Sequence, residues 1–179
     1  MNKEDSPIYL DSACMTLRPQ QVIDAITEYY TDYPACGGRS VHKLSWQVTE
    51  KFEMARDSLR KFVGAEQPSE IVFTKNATEG MNIVANGLRL KRGDHVLTSD
   101  KEHNANVVPW HHISKYNGIK YDVLEPKDNY FFDLEALKES ITSNTKIFIS
   151  VHTSNLDGHT NPAKEIVEIC HDQGVKVLM

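Results

Sequence analysis

The chain lacks the features that would place it outside the ordinary globular proteins. No apolar run approaches membrane-spanning length; the longest, such as KIFISV, are strand-sized, and the N-terminal MNKEDSPIYL has no signal-peptide core. Basic residues form no stripe, and the net charge of −5 offers nothing to a phosphodiester backbone, so a nucleic-acid partner is not expected. Cysteine is scarce: Cys14, Cys36 and Cys170 are widely spaced and odd in number, which fits free thiols in a reducing compartment, the cytoplasm, rather than a disulfide framework. Neither GxGxxG nor GxxxxGK[ST] occurs, which argues against an unrelated nucleotide-binding module, and no HExxH or paired CxxC supports a metal site.

What is present is 179 residues, 40% hydrophobic and 25% charged, enough for a real core. After Pro19, apolar residues Val22, Ile23, Ile26, Tyr29 and Tyr30 fall at helical spacing and predict a helix to about Tyr33. A second, longer helix is predicted over Ser45 to Val63, ended near Gly64. From Glu70 onward β-rich runs alternate with helical ones: IVFT, HVLT, IKYDVL, KIFISV and VKVLM are separated by ATEGMNIVANGL, NANVVPWHHISKY, DLEALKESI and PAKEIVEICHDQ. This alternation predicts βαβ units and a three-layer α/β/α fold with a mostly parallel sheet. Asn117-Gly118 and Gln173-Gly174 mark helix ends; Asp133 and the pair Asn161-Pro162 are read as helix caps. The organisation expected is an N-terminal segment, 1–64, with two helices, followed by the first part of an α/β large domain, 65–179.

Three polar clusters follow predicted strands, the position where open α/β sheets bind ligands. In FTKNATEG the first amides of a helix, with the Thr78 hydroxyl, can receive an anion such as phosphate; ordinary capping by Asn76 or Thr78, with Glu79 in the first turn, would satisfy the same amides. In KEHNANVVPWHH, His103 lies on the rim, where an imidazole can stack on a flat cofactor or move a proton, whereas His111 and His112 are assigned to packing or surface. In HTSNLDGHTNP, Asn155 offers a donor and acceptors, and Asp157-Gly158 reads as a tight turn. The convergence of the three clusters says more than any one of them.

These same residues resemble a known family, the cysteine desulfurase and selenocysteine lyase group of the class V aminotransferases, which use pyridoxal 5'-phosphate on a fold-type-I scaffold. The resemblance runs through IYLDSA at 8–13, VHKLS at 41–45, FTKNATEGMNIVAN at 73–86, EHNANVVPW at 102–110 and HTSNLDGHTNP at 152–162. The form of EHNANVVPW is most similar to the group II desulfurases. The resemblance implies that Thr78, with the amides around Ala77, holds the cofactor phosphate, that His103 stacks on the pyridine ring, and that Asn155 contacts the ring hydroxyl. It further implies that Ala13, within 11–14, lies near the substrate and His42 near the substrate entrance.

The chain departs from the family pattern in three ways. Ala77-Thr78 stands where the family usually carries two threonines, which removes one hydroxyl donor worth about 1 kcal/mol. SNLDG replaces the usual SNVLG. The strand VKVLM is followed in the family by the Asp that pairs with the pyridinium nitrogen and by the Schiff-base Lys, and later by the nucleophilic Cys; no residue here matches them. The expectation is therefore a truncated large domain without catalytic residues of its own, binding the cofactor weakly or not at all. In the complete enzyme, L-cysteine would give L-alanine with persulfide transfer. The rival expectations are a non-catalytic relic, or one half of a split enzyme needing a second chain. A homodimer is a further possible assembly, and surface left uncovered at VKVLM predicts aggregation of the isolated chain.

Overall fold

In the computed structural model, which describes residues 7–126 and 132–179, the chain divides into two units, Met1–Phe73 and Thr74–Met179.

In the first unit, the apolar spacing after Pro19 forms α1 (Gln20–Asp32), and the second predicted helix forms α2 (Lys43–Val63). The His42 imidazole caps α2 by accepting the Ser45 amide at 3.3 Å, and Gly64, in the left-handed conformation, ends it. Among the described residues of this unit, Tyr33 and Ser45 are buried, while Val22, Ile26, Trp46 and Phe62 stay exposed. The helices therefore keep apolar faces that the unit itself does not cover.

The run 71–74, predicted as a strand, is not one. Ile71 has extended angles (φ −99°, ψ 117°), but the run pairs with no strand among the described residues, and Val72 is 70% exposed. β-branched and aromatic residues favour extended backbone, yet a strand exists only when a neighbour supplies the ladder.

The second unit carries the predicted alternation. Its elements are α3 (Ala77–Gly87), β1 (His95–Ser99), α4 (Asn104–Asn117), β2 (Lys120–Leu124), α5 (Leu134–Ser140), β3 (Thr145–Ile149), α6 (Ala163–Asp172) and β4 (Lys176–Leu178). All pairings are parallel and the sheet order is β2-β1-β3-β4. Side chains alternate across the pleat. Leu97 and Phe148 pack with Leu137 and Ile166 from α5 and α6 on one face; Val96, Ile147 and Ile149 pack with Ala85, Trp110 and Ile113 from α3 and α4 on the other. The fold is thus the expected three-layer α/β/α arrangement, and β1, buried along its whole length, is its centre.

Local stop signals act as read. Gly118 at φ +69° closes α4, and the Asp133 carboxylate accepts the Ala136 amide at 2.9 Å to open α5. Asn161 does not cap α6. It is buried, and its amide nitrogen donates to Ser150 Oγ at 3.0 Å and to the Val151 carbonyl at 2.8 Å. Its donors serve the end of β3, while Pro162, at the start of α6, has no N–H to be capped.

His95, at the start of β1, is buried and bonds through Nδ1 to Thr145 Oγ1 at 2.8 Å. Burial pushes its pKa below the ordinary value; Asp122 Oδ2, 3.3 Å from Nε2 but poorly aligned, opposes this without reversing it. With the folded pKa depressed, the unfolded chain binds the proton first, so the contribution of neutral His95 is present above about pH 6.5 and is lost as pH falls below it. Urea midpoints measured at about pH 7.5 and about pH 5.5 should therefore drop for the native chain, and the His95→Gln variant should show a shallower drop.

Candidate functional site

The strand order reverses between β1 and β3: from β1 the chain crosses to β2 on one side, then returns to β3 on the other. Loops leave the carboxyl ends of these two strands there, the position at which open α/β sheets bind ligands. The first loop runs through 100–103 into α4, and the second is 150–162.

The first loop places His103 at the cap of α4, where its Nδ1 accepts the Ala105 amide at 3.0 Å. A ring nitrogen that accepts is unprotonated, so the neutral ring carries its proton on Nε2. Pro109, inside α4, has no N–H to give the Ala105 carbonyl one turn earlier.

The α3 corner lies across from it. Asn76 Oδ1 accepts the Glu79 amide at 2.9 Å and Glu79 Oε2 accepts the Lys75 amide at 2.6 Å, so the capping alternative is realised through Asn76. That leaves the Ala77 and Thr78 amides, the first two of the helix, without an intrahelical acceptor, and the exposed Thr78 hydroxyl beside them. Thr78 and His103 line one cavity of about 560 Å3 between α3 and α4, together with Asn82, Asn86, Val108 and His112. The walls are mostly apolar; Thr78, His103 and Asn104 line the cavity at the helix starts, where the macrodipole favours an anion, while Asn82, Asn86 and His112 line it further along the two helices.

Asn155 sits exposed in the second loop and does not line this cavity. Its neighbours shape the loop: Ser154 Oγ accepts the Leu156 amide at 3.2 Å, and the predicted Asp157-Gly158 turn forms, with Gly158 at φ +73° and the His159 amide on Asp157 Oδ1 at 3.0 Å. His111 packs on Tyr121 and His112 on Tyr116, with ring centroids 4.5 and 4.6 Å apart. Ala13 and His42 belong to the first unit. No group of His, Cys, Asp or Glu among the described residues has metal-ligand geometry.

Two residues unassigned in the sequence join the loops. Lys101 Nζ meets Asp157 Oδ2 at 2.6 Å, and this bond, helped by the His159 amide, holds the Asp157 carboxyl down to about 2. Glu102 Oε1 accepts the Ser99 hydroxyl at 2.5 Å and the Val151 amide, while Oε2 accepts Asn106 Nδ2 at 2.7 Å. The signal available for both was their place directly before His103, at the end of a strand.

Compared with known proteins, residues 8–179 match the family model described as aminotransferase class-V. A probable cysteine desulfurase of Synechocystis is 37% identical over 175 residues, covering 96% of this chain and 42% of the relative. A cysteine desulfurase of Haloferax volcanii is 38% identical over 171 residues, covering 93% of this chain and 40% of the relative. Among solved structures, the apo cysteine desulfurase of Thermococcus onnurineus superposes with a TM-score of 0.88 at 35% identity, covering 95% of this chain and 42% of that one. An Escherichia coli cysteine desulfurase does so with a TM-score of 0.82 at 30% identity, covering 95% and 43%. The chain thus spans well under half the length of the relatives it matches.

Proposed function

The chain belongs to the class-V aminotransferase family, and from that premise we propose that it provides the phosphate-binding and ring-stacking part of a pyridoxal-phosphate cysteine desulfurase. The observation that carries this reading is the cavity shared by Thr78 and His103. Its residues fit the group: two helix amides lacking intrahelical acceptors and a hydroxyl suit a phosphate, and an exposed imidazole with a fixed tautomer suits a flat ring. When bound, pyridoxal phosphate supplies an electron sink for chemistry at the amino acid's α-carbon.

In this reading Ala77 and Thr78 hold the phosphate through backbone amides and one hydroxyl. His103 covers the ring from the α4 side and keeps its Nε2 proton. Asn155 reaches the ring hydroxyl from the second loop, and Ala13 and His42 face the amino-acid substrate. In this reading the Schiff-base lysine and the nucleophilic cysteine belong to the part of the enzyme outside the region matched here, and the substrate of the complete enzyme is L-cysteine. Three free cysteines suit a reducing cytoplasm. Among the described residues no helix is long and apolar enough to cross a membrane.

The test is borohydride reduction in the presence of pyridoxal phosphate, with peptide mapping, on this chain alone and mixed with the C-terminal remainder of a relative. Expected are no specific lysine adduct on this chain, an adduct on the added piece, and cysteine-dependent alanine formation in the mixture alone. A stoichiometric adduct at one lysine of this chain would overturn the reading.

A further inference from the structure

We infer that Glu102 is a positioning residue for the candidate site: its carboxylate ties the ends of β1 and β3 to the first turn of α4 and so sets the orientation of the His103 ring. The inference rests on the reading of the cavity as a cofactor site, but its geometry stands by itself.

A carboxylate offers about four lone-pair positions. Glu102 fills three of them with donors from three different elements: the Ser99 hydroxyl at the end of β1, the Val151 amide just past β3, and Asn106 Nδ2 in the first turn of α4. Ser99 and Asn106 are buried and Glu102 is half-buried, so these bonds are shielded from competing water. The same turn is closed by the His103 carbonyl, which accepts the Asn106 and Val107 amides at 2.8 and 3.2 Å. The His103 ring in turn takes its direction from the Ala105 amide at 3.0 Å. Movement of this turn away from the strand ends therefore moves the ring. β1 and β3 flank the reversal of strand order, and Glu102, beside the Lys101–Asp157 pair, joins the loops that leave them.

Reach and hydrogen-bonding capacity separate the variants. In Glu102→Gln, the amide oxygen keeps the Ser99 and Val151 donors, and the new N–H can serve Asn106 Oδ1, which is buried without a partner among the described residues, after a turn of the Asn106 amide. Glu102→Asp keeps the charge but is one methylene too short to hold both strand ends and the helix. Glu102→Ala removes every acceptor.

The test uses the full chain, labelled with 15N. Long-range proton–nitrogen spectra report the His103 tautomer, and shifts at Thr78 and His103 follow a titration with pyridoxal phosphate to millimolar concentration. The native chain and Glu102→Gln should share the Nε2-protonated tautomer and the same half-saturation. Glu102→Asp and Glu102→Ala should lose the tautomer bias and need roughly fivefold more pyridoxal phosphate. Should Glu102→Ala fail to fold, Glu102→Asp decides. If Glu102→Asp lowers the thermal midpoint while tautomer and half-saturation stay native, Glu102 is merely structural and the inference is wrong. If pyridoxal phosphate shifts neither Thr78 nor His103 in the native chain, with or without the C-terminal remainder of a relative, the cofactor reading falls; the tautomer comparison still decides the role of Glu102.

Discussion

Replacing Phe148 with alanine is expected to cost the second unit roughly 3–5 kcal/mol of stability. Phe148 is fully buried in β3, which is paired on both sides by β1 and β4. It packs among Leu97, Leu137 and Ile166 and meets Phe132 edge to face, with ring centroids 5.9 Å apart. Neither neighbouring strand can close over the gap without breaking its ladder, so the cavity term adds to the lost transfer energy. Against a total stability of about 5–15 kcal/mol for a domain, that loss is a large fraction. Urea unfolding followed by far-UV circular dichroism measures it, and Tyr116→Ala, at an exposed site on α4, should stay within about 0.5 kcal/mol of the native chain.

A change of one atom at Asn161 should have the next largest effect. Asn161→Asp keeps the shape but replaces an N–H donor by an anionic oxygen facing the Val151 carbonyl and Ser150 Oγ, at sites where the native nitrogen lies 2.8 and 3.0 Å away. The half-buried Val151 carbonyl then keeps only the Ser150 hydroxyl, at 3.2 Å, and a buried charge faces that carbonyl, a cost of about 3 kcal/mol at neutral pH. Protonation of the new carboxyl restores a donor, so the deficit should shrink as pH falls toward the carboxyl range, and Asn161→Ala should show no such recovery. Amide exchange at 150–161 is the direct measure. Equal exchange rates in both variants at neutral pH would show that the donated bonds are not what holds the loop.

The resemblance carried Thr78 and His103 to one cavity because each sits at a helix start, and helix starts are local features. Asn76, Glu79 and the Asn161-Pro162 pair show the limit of such reading. A capping residue is recognisable by type, but which neighbour it serves depends on what else is unsatisfied nearby: Asn76 caps as expected, whereas Asn161 turns inward to the end of β3. IVFT failed for a related reason, since its composition marks extended backbone and cannot supply the second strand of a ladder.

Apart from IVFT, the sequence by itself determined the elements of this chain, their stops at Gly64 and Gly118, and the alternation that makes the sheet parallel, because periodicity, capping and turn chemistry act over a few residues. Only the tertiary structure decided that β1 lies beside β3, and with it the bonds from Glu102 to Val151 and from Lys101 to Asp157. Those pairs stand 49 and 56 residues apart, and nothing local brings them together. The burial of Phe148 and Ile147 on opposite faces of one strand does, by fixing which helices cover each side and so which strand ends share a rim.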